Sequence, residues 1–132
     1  MSAQSVALIS INMPVTLSRL HISEKLNIKF SKGIEACYYA ELEENRYLFF
    51  TEFSVLTFVN WPHQQIVETL SLLGFENAVN FKETVLHQDY LIKQKSDVNQ
   101  GSAVSNDLIE LAEFSLWPLM IVALVVSQSV GL

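Results

Sequence analysis

The stretch RYLFFTEFSVLTFVN, residues 46–60, decides the fold. It contains two apolar runs rich in Phe, Tyr, Val and Leu, separated by a short break, and this pattern predicts a β-hairpin. Trp61-Pro62 follows, and from there the apolar residues recur with a period of 3.6 instead of two. We therefore predict a helix that begins near Pro62 and ends at Gly74, because Pro is common at the first turn of a helix and Gly just after the last.

Further elements lie on both sides of the hairpin. Apolar or β-branched runs predict strands over residues 5–13, 34–42, 83–95 and 107–114. Apolar residues at helical spacing predict a short helix within 17–26, and the polar stretch 96–105 is predicted to be a turn or an exposed loop. Neighbouring strands can pair antiparallel, so we predict an α+β fold. It has a mostly antiparallel sheet of five or six strands, helices packed on one face, and a final apolar helix.

That final segment, residues 116–132, reads LWPLMIVALVVSQSVGL and contains no charged side chain. A helix that is apolar on every side is either buried in a protein core or lies in a membrane. A membrane span needs about 20 apolar residues, and this segment is shorter and carries Ser-Gln-Ser in its last third. We predict a core helix, with a membrane anchor as the alternative. The predicted interaction surface is the helix face of Trp117, Met120 and Leu124, together with the exposed edge of the hairpin.

Composition and charge limit the domain count and the partners. The chain has 132 residues, of which 50% are hydrophobic and 17% charged, so we predict one folded domain over residues 1–132. The net charge is −6 and the eight Lys and Arg residues are scattered, so no nucleic-acid partner is expected. The first residues lack the pattern of a signal peptide, and we expect a bacterial cytoplasmic protein. Membrane association through residues 116–132 is the alternative.

Few side chains are candidates for chemistry. His87 and Asp89 are two residues apart on a predicted strand, so both leave the same face and could act together in acid–base catalysis. Cys37 lies within a predicted strand, and we interpret it as a small buried residue rather than a nucleophile. His21 and His63 lack partners at metal-ligand spacing, and a single cysteine excludes a four-cysteine zinc site. No catalytic residue, metal or cofactor is therefore predicted.

Two segments have the residue pattern of a known family. In residues 46–66 an aromatic-rich strand, a turn and a second strand with a Phe-x-Asn end precede a helix, and residues 126–132 carry a Gln-Ser-Val helix core after an apolar run. The residues that take these places are Phe58, Asn60, Gln128, Ser129 and Val130. Both segments resemble the YagE-like family, a domain of unknown function whose eukaryotic members include the meiotic-nuclear-division proteins.

The resemblance implies an α+β amino-terminal half. Family members continue past the Gln-Ser-Val helix into a mostly helical second half, often with a membrane-spanning segment, so the chain is expected to be a truncated or a short form. The family usually has Gly at the hairpin turn, where this chain has Ser54. It implies no established catalytic activity and no catalytic residues.

Three functions follow as expectations. The first is a non-enzymatic interaction or scaffold module that binds a second copy of itself or an unknown protein. The second is a small-molecule-binding or enzymatic α+β domain that uses His87 and Asp89. The third is a membrane-tethered protein anchored by its terminal apolar helix.

Overall fold

The computed structural model describes residues 5–13, 18–35, 37–51, 54–75, 78–84, 87–94, 103–105, 108–111 and 115–131. Its strands are β1 Ser5–Asn12, β2 Ser31–Lys32, β3 Cys37–Leu42, β4 Arg46–Thr51, β5 Val55–Val59, β6 His87–Gln94, β7 Ala103–Ser105 and β8 Leu108–Leu111. Its α-helices are α1 Arg19–Leu26, α2 His63–Leu72, α3 Phe81–Thr84 and α4 Leu116–Gly131.

The described strands form one eight-stranded sheet in the order β2-β3-β4-β5-β1-β6-β8-β7. Every pairing is antiparallel except the parallel pairing of β6 with β8. The predicted hairpin lies within the sheet, where β4 pairs with β3 and β5, and β5 pairs with β1 as well. The first strand of the chain is thus central, between β5 and β6.

Both faces of the sheet are covered by helices, as the alternation along β4 shows. Leu48 and Phe50 belong to an apolar cluster that includes Ile22 of α1 and Leu70 of α2. The intervening Phe49 belongs to a second cluster, which includes the buried side of α4. Since successive side chains of a strand point to opposite faces, α1 and α2 lie on one side of the sheet and α4 on the other.

Local signals set the ends of the first two helices. Ser18 caps α1, because its side-chain oxygen accepts a hydrogen bond from the backbone N–H of His21 at 3.3 Å. Asn27, with φ 54°, ends that helix in the left-handed conformation. Pro62 is the N-cap residue of α2, and Gly74 follows its end with φ +94°, as the sequence predicted.

The α+β class, the mostly antiparallel sheet and the terminal helix are confirmed. Three details differ from the prediction. Helices were expected on one face, whereas α4 covers the other, because the hairpin strands are buried on both sides. The sheet has an additional strand, β7, in the stretch predicted as a turn or loop. The helix α3 occupies the start of the predicted strand 83–95.

The turn between β2 and β3 fits closely against α4. The backbone N–H of Ile34 contacts Met120 Sδ at 3.4 Å, and the N–H of Gly33 donates to the carbonyl oxygen of Cys37 at 2.9 Å. A Cβ atom at Gly33 would overlap Met120 Sδ and lie 3.0 Å from the Cys37 oxygen. The absence of a side chain at residue 33 is therefore what lets this turn approach α4.

We expect Gly33→Ala to lower the free energy of unfolding by about 1–3 kcal/mol, the usual cost of overpacking. The loss of stability caused by Gly33→Ala should be less than half as large in a Met120→Ala background, because the sulfur that overlaps the new Cβ atom is then absent. Urea denaturation of wild type, both single variants and the double variant measures this coupling. Equal costs in both backgrounds would show that the Met120 contact is not the cause.

Candidate functional site

One side of α4 is buried against the sheet. Its residues there are Leu119, Met120, Ala123, Leu124, Val126 and Ser127. The Ser127 hydroxyl donates to the carbonyl oxygen of Ala123 at 2.6 Å, so this polar group is satisfied within the helix. The sequence of α4 contains no charged residue. This side therefore fixes the helix on the sheet through apolar contacts.

The opposite side of α4 presents apolar side chains to solvent. Trp117, Ile121 and Val125 are 54%, 52% and 60% exposed. They are four residues apart, so they form one line along the helix, which we call the α4 stripe. Gln128 is also exposed and continues this line at the carboxyl end. Apolar patches of this kind often mark interaction sites on soluble proteins.

An apolar groove lies beside the stripe. The α4 groove is a cavity of about 380 Å³ between α4, β6 and β8, lined by Gln88, Tyr90, Ile109, Ile121, Val122, Val125 and Val126. At its polar end the Tyr90 hydroxyl donates to Gln88 Oε1 at 3.3 Å. The stripe residues Ile121 and Val125 are shared with the groove, so the two features form one continuous surface.

The predicted interaction residues are placed differently by the structure. Trp117 is exposed as expected, but Met120 and Leu124 are buried against the sheet and do not belong to the exposed face. The expected exposed edge of the hairpin is also incorrect, since β4 and β5 are interior strands. Because residues 116–126 are uniformly apolar, no helical period of polar residues indicates which side of α4 is exposed. Gln128 was the signal that could have identified the correct face.

His87 and Asp89 lie on the sheet face opposite α4. Asp89 forms an ion pair with Lys82 of α3 at 3.0 Å. The Phe81 ring lies between two imidazoles, with centroid distances of 5.8 Å to His63 and 6.2 Å to His87. A shallow cleft of about 190 Å³ is lined by Ala7, Leu8, Ile9, Trp61, His63, Ile66, Phe81, Lys82 and Asp89. His87 and Asp89 thus leave the same face of the sheet, as their spacing predicted, and the observed ion-pair partner of Asp89 is Lys82.

The cleft beside Asp89 brings together few reactive groups. Cys37 belongs to the cluster on the α4 side of the sheet, away from His87 and Asp89. Across the described part of the chain, no group of three or more His, Cys, Asp or Glu side chains is placed to hold a metal ion. The cleft therefore offers an ion pair and aromatic walls to a small ligand.

Burial makes the Cys37 thiol a poor nucleophile. It raises the pKa of Cys37 from 9.0 to about 11, and the Lys32 ammonium offsets only part of the rise. The thiol is therefore protonated at neutral pH, and the thiolate is the reactive form. The interpretation of Cys37 as a small buried residue is confirmed.

The raised pKa of Cys37 predicts a loss of stability at high pH. Below pH 9.0 the Cys37 thiol is mostly protonated in both the folded and the unfolded chain. Between pH 9.0 and about 11 the unfolded chain loses this proton while the folded chain keeps it. The free energy of unfolding therefore falls as pH rises through this range. Urea denaturation below pH 9.0 and near pH 11 should show a smaller fall in Cys37→Ala than in wild type. Burial raises the pKa of Tyr47 as well, but that contribution is common to both proteins. An identical fall in the two proteins would contradict the assignment to Cys37.

Comparison with protein-family models, curated proteins and solved structures found no match. The resemblance to the YagE-like family therefore stays a prediction. Among the helices that the structure describes, none is both long enough and apolar enough to cross a membrane.

Proposed function

We propose that this protein is a non-enzymatic interaction module that self-associates through the α4 stripe and groove. The observation that carries the proposal is the line of three half-exposed apolar side chains, Trp117, Ile121 and Val125, on a helix without charges. Removing such surface from water is favourable by roughly 25 cal/mol per Å². Trp is also the residue type most enriched among those that dominate binding energy.

A second copy suits this surface because of its charge. The chain has a net charge of −6, so two copies repel each other at most orientations. The α4 stripe contributes no charge to a contact between them. Pairing through α4 therefore avoids placing like charges face to face. The resemblance to the YagE-like family, which implies no catalytic activity, agrees with a non-enzymatic role.

Light scattering over a protein concentration series tests self-association. We expect the mass of wild type to rise toward that of a dimer, and Ile121→Asp to remain a monomer, because a buried unpaired carboxylate in the contact is unfavourable. Leu72→Asp is the matched control, since Leu72 is an exposed apolar residue of α2, and it should associate as wild type does. A wild type that stays monomeric at every concentration would contradict the proposal. Protein that remains dispersed only in detergent would favour the membrane-tethered alternative.

The cleft beside Asp89 favours small-molecule binding as a second candidate function. Its walls include the aromatic rings of Trp61 and Phe81, and the Lys82 ammonium lies at its rim. A small aromatic amide would fit this site, because its ring can pack on the aromatic wall while its oxygen accepts from Lys82 and its N–H donates to Asp89. Benzamide should then raise the melting temperature of wild type and have a weaker effect on Lys82→Met. An equal effect on both proteins, or none on either, would count against this function.

A further inference from the structure

We propose that the self-association is a two-fold antiparallel pairing of α4 helices in which Trp117 of each copy enters the α4 groove of the other. This inference rests on the proposed function and adds its geometry. It assigns separate roles to two parts of one surface: Trp117 is the inserted group, and the groove between α4, β6 and β8 receives it.

The positions of Trp117 and the groove along α4 favour this pairing. The groove is lined by helix residues 121, 122, 125 and 126, four to nine positions after Trp117. At 1.5 Å per residue this separation is about 6–13 Å. A two-fold axis through Ile121 places residue 117 of one helix opposite residue 125 of the other. The same operation that pairs the stripes therefore brings each Trp117 to the partner's groove, and the contact closes as a dimer.

The size and chemistry of the groove suit an indole ring. Its volume of about 380 Å³ is within the range of pockets that hold small organic groups. Its walls are Ile and Val side chains and the Tyr90 ring, and its polar end carries the Gln88 amide. A buried indole N–H needs an acceptor. The Gln88 side-chain carbonyl, which accepts from the Tyr90 hydroxyl, is an acceptor of the type that this N–H requires.

The extent of the surface predicts a weak dimer. Standard protein interfaces bury about 800 Å² on each partner. Three half-exposed side chains and one groove supply less than this, so dissociation constants at or above roughly the micromolar range are expected. Truncation of Trp117 removes the inserted group from both sides of the dimer. We expect Trp117→Ala to weaken the dimer by at least about tenfold and Trp117→Phe to weaken it less.

Cysteine cross-linking tests the geometry in a Cys37→Ala background, which leaves one thiol per chain. Ile121→Cys lies on the proposed axis and should form a disulfide-linked dimer under mild oxidation. Val125→Cys, exposed on the same stripe, should not, because residue 117 of the partner faces it. A parallel pairing would instead link both variants and would overturn the proposal.

Tryptophan fluorescence provides the second measurement. Emission should shift to shorter wavelength as wild type associates, and this shift should be absent from Trp117→Phe, which retains Trp61. If wild type dimerises but the Ile121→Cys variant forms no linked dimer or the wild-type emission does not shift, self-association stands and the proposed pairing is wrong. If wild type does not dimerise, the proposed function itself fails. Binding of dodecanoate to the monomer, unchanged by Trp117→Ala and without any dimer, would show that the groove holds an acyl chain instead.

Discussion

A carboxylate at position 123 is expected to lower the free energy of unfolding by at least about 3 kcal/mol, whereas the same group at position 121 should change it by less than about 0.5 kcal/mol. Ala123 is fully buried between α4 and the sheet, in the cluster that contains Leu8 and Val59. An Asp there has no charged partner in this apolar cluster. Ile121 is on the exposed stripe, where an Asp is hydrated.

The comparison of Ala123→Asp with Ile121→Asp separates folding from self-association. Urea denaturation followed by circular dichroism measures the free energy of unfolding, and light scattering measures self-association. Ile121→Asp should unfold like wild type and yet fail to dimerise. Leu72→Asp, at an exposed apolar position of α2 away from the stripe, controls for an added surface carboxylate. Similar stabilities for the variants at 121 and 123 would show that α4 does not lie on the sheet as described.

Phe58→Ala is expected to lower the free energy of unfolding by about 3–5 kcal/mol, the usual cost of removing a buried phenyl ring. Phe58 is fully buried on β5, and its ring contacts the Trp61 indole edge-on with a centroid distance of 5.0 Å. The indole N–H donates to the carbonyl oxygen of Tyr47 at 2.9 Å, which fixes the Trp61 ring. Loss of Phe58 therefore leaves a cavity beside a side chain that cannot easily move to fill it.

Chemical denaturation measures this loss, and Trp61 reports on it locally. Leu72→Ala is a suitable control, since Leu72 is an exposed apolar residue and its truncation should cost less than about 0.5 kcal/mol. In a Trp117→Phe background, which leaves Trp61 as the one tryptophan of the chain, emission should shift to longer wavelength in Phe58→Ala as water reaches the indole. A cost below about 1 kcal/mol would mean that the surrounding side chains close the cavity.

The hairpin and the helix after it could be predicted because their signals are local. The apolar runs of residues 46–60 and the helical period after Pro62 depend on neighbouring residues alone. The order of the strands in the sheet could not be predicted, because β1 pairs with β5 and β6, which are distant from it in sequence. The strand β7 spans only Ala103–Ser105, too few residues to show a period. Its partner β8 is close in sequence, with Ser105 opposite Leu108, so it was the shortness of the run that hid the pairing.

Only part of the candidate site could be predicted from the sequence, and the physical reason why the rest could not differs from residue to residue. Which side of α4 is exposed depends on the sheet beneath it, and the apolar run gives Met120 and Ile121 the same character. The ion pair of Asp89 depends on Lys82 of α3, a helix that the sequence pattern did not indicate. At the hairpin turn Ser54 takes φ 61°, a conformation for which Gly is the usual residue. The absence of Gly at position 54 therefore does not prevent a hairpin turn with positive φ.

The central place of β1 has a consequence for how the chain folds. Leu8 of β1 lies opposite Val59 on one side and Tyr90 on the other. Synthesis from the amino terminus produces β1 before β5 and β6, so neither of its neighbours exists when β1 is made. Until those strands are made, the apolar side chains of β1 remain exposed and can aggregate or bind chaperones. High contact order of this kind slows folding, so we expect the last step to be the closure of the sheet around β1, on the millisecond-to-second scale.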